Sequence, residues 1–324
     1  MLVLCVLYAT SMPGSSYSGV LPPATPQLRE LQARLHEHVA VLAGTIGIRN
    51  VDRGKALTRA REYIAARLKP LETASRRVQL EGVGVVGGNA QNVIFEVPGQ
   101  HAKNIVVVGA HYDSCQDGPG ANDNGSGVAA ILELAACFAS APADSAVRFV
   151  FFANEEPPYF KNPGMGSRVN ADNALKRHDP ISAMLSLETI GYYSDAADSQ
   201  HYPWPVGILY PNRGNFLGFV GDIGSRSLVR SAIASFRIAE QFPSEGAALP
   251  STIPGVDWSD HWSFRRVGYP AIMLTDTALF RDPNYHRASD TPEHLDYERL
   301  ARVTRGIEVV IRQLADAQAS NRRH

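Results

Sequence analysis

Six side chains in this sequence are of the types that do chemistry together: His111, Asp123, Glu155, Glu156, Glu188 and His286. Imidazoles and carboxylates without a thiolate suit a catalytic zinc, cobalt or manganese centre more than a structural zinc site. Two His and three carboxylates exceed the three protein ligands that one catalytic zinc takes, so two ions sharing a carboxylate is the economical arrangement. Asp123 lies in the turn Gly120-Ala121-Asn122-Asp123-Asn124-Gly125-Ser126-Gly127. Its glycines let the chain bend sharply and bring that carboxylate between two ions. Glu155 and Glu156 follow an apolar run, and neighbours at a strand end point in different directions. One of the two can ligate, which leaves the other free as general base. Asp113, two residues after His111, is placed to accept the imidazole's second N–H and fix its tautomer.

Elements must carry these residues to one place. Asn92 to Val97, Ile105 to Ala110, Val147 to Ala153, Ala183 to Leu187, Val206 to Leu209 and Ala271 to Leu274 read as strands, several of them apolar enough to be buried on both faces. Helical spacing marks Leu28, Leu31, Leu35, Val39 and Leu42 after the start signal Thr25-Pro26. It recurs at Ala56, Leu57, Ala60, Ile64 and Leu68 up to Pro70, across Gly125 to Ala139, and from Tyr297 through Leu314. Alternating strands and helices predict an α/β sheet covered by helices on both faces. His111, Glu155 with Glu156, Glu188 and His286 each follow a strand, at the edge where open α/β sheets keep their sites. The stretch Pro157 to Asn170 reads as a connection that either lines a pocket or merely covers the surface. Tyr159, Phe160, Tyr192, Tyr193, Trp258 and Trp262 are candidates to shape that pocket or to pack in the core.

Composition narrows the classes. Of 324 residues, 44% are apolar and 19% charged, and the formal charge is −1. That describes a folded chain without the basic footprint that nucleic acid or anionic lipid selects. Cys5, Cys115 and Cys137 are too few and scattered for a disulfide scaffold, and the last two read as packed thiols. Leu2 to Tyr8 match the apolar core of an export signal, pointing to a periplasmic or extracellular address; without preceding basic residues the stretch reads equally as a flexible tail of a cytoplasmic protein. The run is shorter than the roughly 20 residues of a membrane helix, so no spanning segment is expected. The division expected is a signal-like or flexible tail over 1–23 and one catalytic domain over 24–324.

Six ordered segments carry a family resemblance: His111-Tyr112-Asp113-Ser114, Gly120 to Gly127, Asn154-Glu155-Glu156, Leu187 to Gly191, Ser259-Asp260-His261, and Tyr285-His286 with Asp290-Thr291. Together, over roughly Ala90 to Leu300, they resemble the co-catalytic di-zinc aminopeptidases, bacterial leucyl aminopeptidases among them, which are related to glutamate carboxypeptidase and glutaminyl cyclases. The resemblance implies a mixed, mostly parallel central sheet and two zinc ions. It implies that Asp123 bridges the ions, that His111 and Glu188 complete one shell and Glu156 and His286 the other. Glu155 would then be the base that takes a proton from a metal-bridging water, with Asp113 behind His111. One departure stands out: the family commonly has Asp where this chain has Glu188, one methylene longer.

The activity implied is hydrolysis of N-terminal residues from peptides with a free α-amine. The same fold also serves glutaminyl cyclases, which close an N-terminal glutamine on one zinc, and receptor domains with no reason to keep all six competent side chains. Carboxypeptidases need cations for the substrate carboxylate, and Arg213, Arg265, Arg266 and Arg287 are the candidates whose place the sequence does not give.

Overall fold

The computed structural model describes residues 8–84 and 90–320. Thr25 caps the first helix, its Oγ1 accepting from Leu28 N at 3.2 Å, and Pro26 takes the first helical position, where a missing N–H costs nothing. In chain order the elements are α1 (Pro26–Val39), α2 (Gly54–Leu68), β1 (Val78–Gly82), β2 (Gln91–Val97), β3 (Ile105–His111), α3 (Gly127–Ser140), β4 (Ala146–Phe152) and α4 (Gly166–Lys176). Next come β5 (Ile181–Glu188), β6 (Leu217–Asp222), α5 (Arg226–Ala239), β7 (Ser244–Leu249), α6 (His261–Arg266), β8 (Ala271–Thr275) and α7 (Tyr297–Ser320).

The described strands form an eight-stranded sheet in the order β1-β2-β4-β3-β5-β8-β6-β7. β4, β3, β5 and β8 run parallel through its middle and β6 pairs parallel with β7, while the β1/β2, β2/β4 and β8/β6 pairs are antiparallel. The mixed, mostly parallel sheet expected from sequence is therefore the fold observed. Alternation along β3 divides the core: Val106 and Val108 face the larger layer with α1, α2, α3, α5 and α7, and Val107 faces the smaller one under α4 and α6. Phe95, Phe149 and Phe151 are fully buried in the larger layer, each contributing about 1.5–3 kcal/mol. From β3 the chain passes to β4 on one side and later to β5 on the other. The crevice at such a switch point, beyond the carboxyl ends of the strands, is where a ligand site forms.

Several expectations need correction. Val206 to Leu209 is not a strand but a short 3-10 turn at Val206–Ile208, tied by Val206 N to Pro203 O, with Ile208 and Leu209 exposed. The N–H groups of Val206 and Ile208 are spent on the carbonyls of Pro203 and Pro205, which keeps the run out of a ladder. The connection after Glu156 ends early, because α4 begins at Gly166 rather than after Asn170. Cys137 is half-buried, and Arg312 Nη2 lies 3.5 Å from its sulfur. Leu2 to Leu7, including Cys5, lie outside the described residues. The stretch from Tyr8 to Ser16 lies against α5 and β7: Arg226 Nε donates to Tyr8 O at 2.5 Å, Arg237 Nη1 to Pro13 O and Gly14 O at 3.0 and 3.1 Å, and Ser244 N to Ser16 Oγ at 2.9 Å. Among the described residues no helix is long and apolar enough to cross a membrane.

Candidate metal centre

β3, β5 and β8 run parallel side by side, with Glu188 paired to Thr275 at their ends, so the residues just past each strand converge on one crevice. His111 is the last residue of β3 and is fully buried. Its Nδ1 lies 3.2 Å from the Asp113 carbonyl oxygen and 3.5 Å from Asp113 Oδ1. The carboxylate itself accepts the backbone N–H groups of Glu155 and Glu156 at 3.1 Å each. Asp113 thus orients the imidazole chiefly through its main chain, and its side chain clamps the two glutamates behind β4.

The Asp123 turn is held from every side. Gly120 has φ +63°, and a Cβ there would sit 2.2 Å from Asp123 O, so the bend requires glycine. Asp290 accepts from Asn122 N at 2.8 Å and Asp123 N at 3.1 Å. Asn122 donates to Asp276 and Asp282 and accepts from Gly191 N, while Asn124 donates to Leu187 O and accepts from Thr189 N. These two side chains tie the turn to the end of β5, where Glu188 is carried.

Asp123 Oδ1 lies 3.2 Å from His111 Nε2, and Oδ2 lies 3.0 Å from His286 Nε2. Glu188 Oε2 stands 3.4 Å from His111 Nε2, and Glu156 Oε2 stands 3.2 Å from His286 Nε2. Two groups result, His111-Asp123-Glu188 and Asp123-Glu156-His286, in each of which one atom per residue lies within 4.8 Å of the others. Glu155 belongs to neither; its Oε2 is 3.9 Å from His111 Nε2. The longer Glu188 reaches the first group, its Oε2 accepting from the Ser259 hydroxyl at 2.6 Å.

Burying so many carboxylates is costly unless cations answer them. Burial holds Glu155 well above the ordinary carboxyl range despite His111, with Glu188, Glu156 and Asp260 adding to it. Glu156 is pushed up to about 7, by burial first and then by the Asp123 charge. Burial works against the His286 cation, but the Asp123 and Glu156 carboxylates outweigh it and raise the imidazole to about 10. A divalent cation fits this donor set on separate grounds as well. His111 Nε2, Asp123 Oδ1 and Glu156 Oε1 are buried with no hydrogen-bond partner, a cost that a metal ligand does not bear.

Residues outside the expected set complete the centre. Arg49 is fully buried beneath it, donating to Tyr112 O at 2.7 Å and Gly120 O at 2.8 Å, with its backbone N–H to Ser114 Oγ. Burial lowers this guanidinium to about 10 against the pull of Asp290, Asp113, Asp123 and Glu156. Nothing in the local sequence separates Arg49 from a surface arginine. Tyr285 stacks on His286 with ring centroids 3.9 Å apart. Asn154 (φ +59°), Thr189 (φ +45°) and His286 (φ +57°) all hold left-handed backbone, a strain that collects at functional sites. Asp260, in the Ser259-Asp260-His261 segment, is buried with both carboxylate oxygens unpartnered; His261 sets its Nε2 2.8 Å from Val256 O.

An open trough leads from Glu188 and Tyr285 along β8, β6 and β7. Its walls are mostly apolar, and of the six aromatic candidates only Trp258 lines it. Tyr159 instead lines a smaller cleft with Glu156, Asp113 and Pro158. Neither lining contains Lys or Arg. Arg265 pairs with Asp222, Arg266 with Asp172, and Arg213 donates to Asp195 O.

The sequence model of peptidase family M28 matches residues 92–311. The uncharacterized protein YfbL of Escherichia coli K12 is 36% identical over 294 residues, covering 88% of each chain. The probable lipoprotein aminopeptidase LpqL of Mycobacterium tuberculosis is 31% identical over 230 residues, covering 64% of this chain and 42% of that one, so the chain spans less than half of this relative. Among solved structures, the zinc aminopeptidase BSAP of Bacillus subtilis superposes with a TM-score of 0.66 at 18% identity, over 88% of this chain and 95% of that one.

Proposed function

The chain belongs to peptidase family M28, and on that premise we propose a two-zinc aminopeptidase in which Asp123, common to both ligand groups, would serve both ions. It is a metallo-aminopeptidase, a peptide hydrolase. We assign His111 and Glu188 to one ion, Glu156 and His286 to the other, and the base to Glu155. The observation that carries the reading is the pair of separations at Asp123, each carboxylate oxygen facing a different histidine.

These residues would hold zinc, which would supply a Lewis acid for the scissile carbonyl and a water of near-neutral pKa. Glu155, left out of both ligand groups, accepts the proton of the attacking water at its carboxylate and delivers it to the leaving amine. The surrounding carboxylates attract a protonated α-amine, and the linings of both clefts hold no cation to receive a substrate carboxylate. This favours trimming from the N-terminus over trimming from the C-terminus. No separate observation favours the cyclase reading. Export is supported by the lipoprotein name of the mycobacterial relative and by the apolar run Leu2 to Tyr8; cell fractionation tests it.

Mass spectrometry of peptides incubated with the zinc-loaded protein tests the activity, with N-acetylated, glutamine-initial and chelated controls. Stepwise loss of residues from free N-termini, only with metal, is the expected result. Loss of ammonia from N-terminal glutamine, or trimming from the C-terminus, would overturn it.

A further inference from the structure

We infer that Glu245 makes the trough selective for peptides whose N-terminal side chain carries a cation, namely Lys or Arg. The inference rests on the aminopeptidase reading and adds the class of substrate. Its basis is a register. Glu188 pairs with Thr275, Thr275 with Gly218, and Gly218 with Glu245. Paired residues on neighbouring strands present their side chains to the same face of a sheet. Glu188 at the metal centre and Glu245 at the far end therefore stand in one row on one face. Three strand spacings separate them, on the order of 14 Å.

Between them the row is nearly bare. Thr275 is short, and Gly218 has no side chain; a Cβ there would come within 3.2 Å of Thr275 O and 3.4 Å of Thr277 Cγ2. The floor of the trough is thus left open along the line from Glu188 to Glu245. Tyr202, Tyr210, Met273 and Leu249 form apolar walls beside it, with the two tyrosines stacked at 5.9 Å. Such walls suit the methylene stem of Lys or Arg, whose charged end needs a polar partner at the end of the path. Short apolar side chains leave the far end unfilled.

Glu245 has an anionic group ready for that end. Among the described residues it makes no ion pair. The cation whose charge acts on it is Arg237, whose N–H groups are committed to Ser244 Oγ, Ser244 O, Pro13 O and Gly14 O; the Ser16 hydroxyl is the hydrogen-bond partner of Glu245. Burial, ahead of every other cause, raises this carboxyl, as expected of an acid in an apolar wall. A substrate ammonium or guanidinium supplies the missing counter-charge. A neutral side chain of equal length buries the same stem and leaves the carboxylate without a counter-charge.

The test compares kcat/KM for tripeptides beginning with Lys, Arg, norleucine, Leu or Glu, using the zinc-loaded full chain. The wild-type protein is expected to prefer Lys and Arg over norleucine by roughly 10- to 100-fold, and Glu last. Glu245→Gln should bring the Lys-to-norleucine ratio close to one. Glu245→Asp, which keeps the charge but withdraws it, should move the preference from Lys towards the longer Arg. Equal rates for Lys and norleucine in the wild type, or a ratio unmoved in Glu245→Gln, would overturn the inference while leaving the aminopeptidase intact. Failure to trim any peptide, the leucyl one included, would overturn both.

Discussion

The two ends of the row that joins Glu188 to Glu245 are built on opposite terms. At the Glu188 end the polar groups are buried and answer one another: Asp290 holds the Asp123 turn, Asp113 holds Glu155 and Glu156, and Arg49 supplies a buried cation. At the Glu245 end the walls are apolar, and the loop that supplies Tyr202, Pro203, Val206 and Tyr210 to them is open to solvent, with Trp204 88% and Ile208 78% exposed. The first arrangement fixes positions, which catalysis and metal binding demand, and it tolerates little change. The second leaves room, which selection among side chains demands. A substitution at the centre should therefore cost turnover or stability, and one at an exposed position of that loop should cost neither.

Glu155→Gln gives the largest effect expected within the centre. Its kcat should fall by roughly 10²- to 10⁴-fold with zinc content unchanged by elemental analysis, and full activity in this variant would remove the base assignment. Arg49→Met leaves the buried carboxylates without their cation. Denaturant unfolding should show a loss of about 3–5 kcal/mol, and a stability equal to wild type would mean that the carboxylates balance without Arg49. Asp113→Asn keeps the shape but weakens the hold on Glu155 and Glu156. Zinc affinity measured by competition with a chelator should drop roughly 10- to 100-fold. Ile208→Ser, at the opposite end, should change stability by no more than about 0.5 kcal/mol in the same unfolding assay. A large loss there would show that the loop is part of the packed structure, and the contrast between the two ends would fail.

The same contrast governs what the sequence makes legible. β3, β4, β5 and β8 are buried on both faces, so their apolar runs stand out, and the residues just beyond them converge as expected. β6 and β7 escape because glycines at 218, 221 and 246 and acids at 222 and 245 break the run of apolar residues that marks a buried strand. Leu228, Val229, Ala232, Ile233 and Phe236 do recur at helical spacing, so α5 is legible in principle. Val206 to Leu209 misleads because its apolar character serves no sheet: Val206 lines the trough, and Ile208 and Leu209 are exposed. Local motifs mark His111, Asp123, Glu155, Glu156, Glu188 and His286. Arg49 and Glu245 carry no such mark, since each acquires its place only when distant segments meet. The carbonyl of Asp113, rather than its carboxylate, as the nearer acceptor for His111 is likewise a matter of backbone path.

The central claim is that one carboxylate serves two ions. Elemental analysis after equilibration with zinc and removal of the unbound metal tests it most directly, on the wild-type chain beside Asp123→Asn. The account predicts two zinc ions per wild-type chain and fewer than one in the variant. A single ion per chain that survives the substitution would contradict it.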